Sequence, residues 1–158
     1  MKEKGFTLIE LVMVLVVFAV LAILSTGSFT QLYSNNEKQA LIDDIKNLVQ
    51  YAKIQAIALG QKVTLAPLAP DLNWAKGVIL SQYHSNPAHE AVLHTRQWHY
   101  RYWKVSWSGV NSEHKIVFAN NLNTSISNGV FTLTNLRTQE KATLILNRLG
   151  RIRVTPGA

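Results

Sequence analysis

The chain contains no cysteine, which excludes a disulfide framework, Cys-based zinc sites and thiol catalysis. The redox compartment stays open, because exported proteins need not carry disulfides. Acidic residues are scarce: nine Asp and Glu stand against sixteen Lys and Arg, a formal charge of +7. That balance favours an anionic partner, whether nucleic acid, lipid headgroups or an acidic polymer, without choosing among them. Signatures of catalysis are missing as well. There is no Gly-Xaa-Ser-Xaa-Gly and no phosphate-binding glycine loop, and the adjacent carboxylates Asp43 and Asp44 fall on different sides of a helix. No active site is read, so the chain is not expected to be an enzyme. The five histidines, His84, His89, His94, His99 and His114, include no pair spaced for one helical turn, and neither a metal nor another cofactor is expected. No internal repeat or low-complexity tract is present.

At 158 residues and 47% hydrophobic content the chain fits one domain with a modest core. The hydrophobicity is concentrated, for Leu11 to Leu24 contains no polar residue. Lys2 and Lys4 ahead of it form an orienting, positive-inside flank. As a helix, Phe6 to Leu24 would be about 28 Å long, close to the hydrocarbon thickness of a bilayer. A secretory signal peptide is the plainer alternative, with Ala22, Ser25 and Gly27 supplying small residues after the apolar core. Glu10 sets a second constraint. A carboxylate at the edge of such a segment costs a few kcal/mol in lipid and marks either a partner or an interfacial position.

The residues before the apolar run, Gly5-Phe6-Thr7-Leu8-Ile9-Glu10, resemble the type IV prepilin processing motif. The resemblance implies that a prepilin peptidase cleaves between Gly5 and Phe6 on the cytoplasmic side and methylates the new amine of Phe6. It also implies that the apolar helix is retained and that Glu10 faces the Phe6 amine of a neighbouring subunit during assembly.

After Leu24 the helical spacing continues through Leu41, Ile45, Leu48, Val49, Ala52, Ala56 and Leu59, with Asp43, Asp44, Lys46, Asn47 and Lys53 largely off that face. Gly60 is a natural stop, and weak helix formers at Ser25-Thr26-Gly27-Ser28 suggest a soft spot. An unbroken helix from Phe6 to Leu59 would run about 80 Å, too long for one globular domain, so its first half is expected to protrude. A membrane-anchored domain with a separate helix is consistent with the periodicity but does not explain Gly5 to Glu10.

From Lys62 onward the pattern is of short strands: Val63 to Leu68, Gly77 to Gln82, Trp98 to Trp107, Lys115 to Ala119, Gly129 to Thr134, Lys141 to Leu146 and Arg151 to Val154. Ser85-Asn86-Pro87 and Ser108-Gly109 mark loops. The expected class is α+β, a long helix packed on an antiparallel sheet. Trp98, Tyr100, Tyr102, Trp103 and Trp107 could stack bases or sugars, but large rings mostly bury in small β domains, and core packing is expected of them.

The C-terminal segment is basic, with Arg137, Lys141, Arg148, Arg151 and Arg153 against Glu140 alone. Asn147-Arg148-Leu149-Gly150 reads as a hairpin turn in which Gly150 adopts positive φ, and Arg151-Ile152-Arg153-Val154 alternates as a strand. Arg151 and Arg153 then share a face about 6.5 Å apart, near the 7 Å order of successive phosphates on one nucleic-acid strand. A solvated edge strand whose arginines deter aggregation accounts for the same residues. Beyond the residues themselves, the order of prepilin motif, long helix, β head and C-terminal Gly150-Arg151-Ile152-Arg153 is similar to the FimT-type minor pilins of the FimT/GspH family.

That resemblance implies the type IV pilin fold, and it implies a function: binding of extracellular double-stranded DNA by its phosphate backbone during natural transformation. Gly150, Arg151 and Arg153 would be central, with Arg148, Lys141 and Arg137 supporting. The parts expected are a leader (1–5), a transmembrane or filament-core helix (6–30), an amphipathic helix (31–60) and a β-rich head (61–158). The implied partners are DNA, other pilin subunits, prepilin peptidase and the inner membrane, which the subunit leaves for the pilus at the cell surface. The competing expectation is a minor pseudopilin of type II secretion, or a pilus-priming subunit, whose arginines meet acidic protein surfaces.

Overall fold

The computed structural model describes residues 7–84, 90–110, 112, 114–121 and 128–156. The leader, Gly5, Phe6, His89 and the Ser85-Asn86-Pro87 loop lie outside the described residues. A 52-residue helix, α1, covers Leu8–Leu59. Among the described residues eight strands follow: β1 (Val63–Pro67), β2 (Gly77–Gln82), β3 (Val92–Gln97), β4 (Trp103–Gly109), β5 (Ile116–Phe118), β6 (Gly129–Asn135), β7 (Lys141–Leu146) and β8 (Ile152–Pro156). A single 3₁₀ turn, Trp74–Lys76, leads into β2.

The chain divides at Asn36 into two compact units. In the first, helical bonding continues through Ser25 to Ser28 despite the weak helix formers there. Its apolar side chains from Leu8 to Ile23 are exposed in the single chain. Among the described residues no helix is long and apolar enough to cross a membrane. Phe6 and the side chain of Leu24, the ends of the expected span, lie outside what the structure describes.

The second unit, Glu37–Ala158, holds the β structure. It contains two antiparallel four-stranded sheets rather than one, ordered β3-β2-β1-β5 and β4-β6-β7-β8. Both sheets and the helix feed one core. The helix contributes Leu41, Ile45, Leu48, Val49, Ala52 and Ala56, as its periodicity requires. Leu59 is the exception, exposed because the helix ends with it and Gly60 turns the chain with φ +63°.

The aromatic residues are core material. Trp98, Trp103 and Trp107 are buried and Tyr100 and Tyr102 pack against them. Phe131 sits between Trp74 and Trp107, with centroids at 5.3 and 4.5 Å. The strand expected from Trp98 to Trp107 therefore splits. Residues 98–102 are not strand, because their donors are taken elsewhere: Trp98 donates to the Lys76 carbonyl, and Arg101 and Tyr102 donate to the Glu37 carboxylate on α1 (3.2 and 3.0 Å). Sequence reading missed β3 altogether. Every one of its side chains is exposed, so the alternation that reveals a half-buried strand is lost.

Candidate functional site

The basic turn joins β7 to β8, and its shape is set by Asn147. That side-chain oxygen accepts the N–H groups of Leu149 (3.0 Å) and Arg151 (2.9 Å), while the Asn147 N–H donates to the Arg151 carbonyl at 3.1 Å. Such an Asx arrangement satisfies the turn from within. Gly150 closes it with φ +73°, the left-handed region that glycine enters without strain. Two residues of α1 fasten the turn from the side. Gln50 donates to the Gly150 carbonyl (3.3 Å) and the Lys53 ammonium donates to the Leu149 carbonyl (2.8 Å).

β8 begins at Ile152, one residue later than expected, because Arg151 belongs to the closure of the turn. Ile152 packs against the core, and Arg151 and Arg153 on either side of it are exposed. Alternation thus puts the two guanidinium groups on one outward face. Arg148 is exposed at the turn itself and lines an open cavity of about 630 Å³ with Ser108, Val130, Ile145 and Asn147. Among the described residues, none of these three arginines has an acidic side chain within ion-pair distance.

The other two expected cations are elsewhere. Lys141 opens β7 and Arg137 lies in the β6–β7 turn, at the far end of the strand from Arg148. Five residue steps along β7 amount to about 17 Å. The guanidinium of Arg137 lies 5.8 Å from the Tyr102 ring centroid, a cation–π contact. Glu140, the acidic neighbour of both, is engaged by Lys38 of α1. The basic tail is thus two clusters, with Arg148, Arg151 and Arg153 forming one. Lys53 adds a cation to that cluster which sequence reading passed over. Its only signal was its placement one turn after Gln50, off the apolar face.

At the N-terminus, Glu10 is a helix-capping residue. Its carboxylate accepts the Thr7 N–H and hydroxyl, both at 3.1 Å, and the Glu10 N–H donates to the Thr7 hydroxyl at 3.3 Å. This reciprocal Thr-Xaa-Xaa-Glu pattern is a capping box, which sequence reading passed over. Of the histidines, His94 stacks edge-on with Tyr51 at 5.4 Å. Among the described residues no group of three His, Cys, Asp or Glu is placed to hold a metal ion.

Residues 41–150 match the family described as type II transport protein GspH, and residues 1–26 match the prokaryotic N-terminal methylation motif. No curated protein matches the chain. In fold it is similar to the type IV minor pilin FimU of Pseudomonas aeruginosa. One crystal form of that protein superposes with a TM-score of 0.62 at 20% identity, over 77% of this chain and 90% of that one. A second crystal form gives 0.58 at 18% identity, over 75% and 92%. At such identities the likeness establishes the type IV pilin fold.

Proposed function

The chain belongs to the GspH family of type IV pilin-like proteins, and from that premise we propose that it is a minor pilin which holds extracellular double-stranded DNA by its phosphates for uptake in natural transformation. The observation that carries this reading is the turn at residues 147–151 with the start of β8: an internally hydrogen-bonded hairpin presenting Arg148, Arg151 and Arg153, exposed and without acidic partners among the described residues. Guanidinium forks bind phosphate oxygens strongly and without reading sequence. Gly150 serves by shaping the turn, while Lys141 and Arg137 act from the far end of the sheet.

The test is affinity for a short duplex across a salt series. Three phosphate contacts give a slope of log affinity against log salt of about −2.7, and Arg151→Gln with Arg153→Gln removes about 1.8 of it. Unchanged affinity in the double variant would overturn the site.

The N-terminal segment supports an assembly role. Cleavage after Gly5, methylation of the Phe6 amine and pairing of Glu10 with that amine on a neighbouring subunit would carry the subunit from the inner membrane into a filament with other pilins. Mass spectrometry of the subunit from its host should show N-methylphenylalanine at the terminus; an intact Met1 excludes the processing. The description of the matched family, a type II transport protein, favours a second reading, a minor pseudopilin whose arginines meet an acidic protein surface. That reading predicts no duplex binding at any salt concentration.

A further inference from the structure

Strand register puts more on the sheet than the hairpin alone. In β4-β6-β7-β8 the buried side chains, among them Val105, Leu133 and Leu144, point to the core, so the alternate positions form the outer face. Its first row is Lys104, Thr134 and Lys141, which are mutual register partners. The second is an unbroken line of hydroxyls, Ser106, Thr132, Thr143 and Thr155, one from each strand. The third runs from Ser108 through Val130 and Ile145 to Arg153. None of these outer residues is acidic and none is aromatic. Among the described residues neither Lys104 nor Lys141 has an ion-pair partner.

Standard sheet spacings fix the distances. Two strand intervals separate Lys104 from Lys141, about 10 Å. One interval and four residues separate Lys141 from Arg153, about 14 Å, and Lys104 and Arg153 are about 20 Å apart. Arg151 and Arg153, about 6.5 Å apart, suit successive phosphates of one backbone. Anchors 14 to 20 Å apart on flexible side chains suit two backbones bordering one groove, the grooves of B-DNA being about 6 and 12 Å wide. Serine and threonine hydroxyls between them are ordinary phosphate and sugar ligands. With no ring on the face, unpaired bases have nothing to stack on.

We propose that the whole outer face of the β4-β6-β7-β8 sheet is the duplex-binding surface, with Lys104 on β4 as the anchor for the second backbone and the hydroxyl row lying beneath the groove. This rests on the DNA-binding reading above and extends it to a residue 20 Å from the hairpin. It places the duplex across the strands rather than at the tip of one turn.

The full chain in detergent, titrated with a 12-base-pair duplex over a salt series, tests it with Lys104→Gln, Lys104→Arg and the Arg151→Gln/Arg153→Gln pair. Lys104→Gln should lower the salt slope by about 0.9 and Lys104→Arg should restore it, with single-stranded DNA of equal length binding more weakly to the parent. A slope unchanged in Lys104→Gln but reduced in the arginine pair overturns the extended face and leaves the hairpin reading standing. Parent protein that binds no duplex overturns both.

Discussion

At Gly150 the backbone turns with φ +73°, and a Cβ there would lie 3.2 Å from Cδ of Lys53. Gly150→Ala should therefore cost about 1–2 kcal/mol in thermal or denaturant unfolding from the left-handed backbone alone. It should also displace the ammonium that holds Leu149, weakening duplex binding in the same variant. Asn, which tolerates this region better, should be milder. Tyr100 gives a second prediction at this scale. Burial, then the Asp44 carboxylate that accepts its hydroxyl proton at 2.6 Å, pushes its ionisation well above the ordinary tyrosine range. The contribution is intact below about pH 10 and lost as pH rises through the folded value. An ultraviolet titration should show a tyrosine step displaced to high pH, and Tyr100→Phe should abolish that step. The glycine was legible in the sequence because only a turn explains Asn-Arg-Leu-Gly between two strands. The tyrosine was legible as core but not as a hydrogen-bond donor, since Asp44 lies 56 positions away along the chain.

Elements are held to one another by a few buried acceptors, of which Asn73 shows the effect most directly. Its side-chain oxygen caps the 3₁₀ turn by accepting the Ala75 N–H (3.1 Å) and at the same time accepts the Val105 N–H of β4 (3.0 Å). Asn73→Ala leaves two buried donors unserved and should destabilise the head by about 1–3 kcal/mol in urea unfolding. Faster amide exchange at Ala75 and Val105 would locate the loss. The bounds of β2, an apolar run between a glycine and a polar end, and of β7, which alternates, were readable from residue pattern alone. Those whose donors are served from outside the ladder, or whose faces are both wet, did not: residues 98–102 answer to Glu37 on the helix, and β3 is exposed throughout. The separation of the cations has the same origin. Arg137 and Lys141 adjoin the arginine hairpin in sequence, but β7 carries the chain about 17 Å between them.

The whole molecule divides at Asn36, and among the described residues every buried apolar side chain lies after that point. A fragment of residues 31–158 should consequently fold alone with a single cooperative urea transition; a broad or absent transition would show that the head needs the earlier helix. The long helix was readable from the apolar run of Leu11 to Leu24 and the spacing from Leu41 onward, and its family from two short stretches at opposite ends of the chain, Gly5 to Glu10 and Gly150 to Arg153. The pairing of eight strands into two sheets was not, because strand order is decided by contacts remote in sequence. The turn that Gln50 and Lys53 fasten to the helix also has a mechanical meaning. Tension entering at Arg151 and Arg153 along the axis of β8 loads its five register pairs with β7 together, in shear, and the same pull reaches α1 directly through the Leu149 and Gly150 carbonyls. Force at right angles peels those pairs one after another. On the DNA-binding reading proposed above, a load held by these arginines would meet high resistance when drawn along β8 and low resistance when drawn across it.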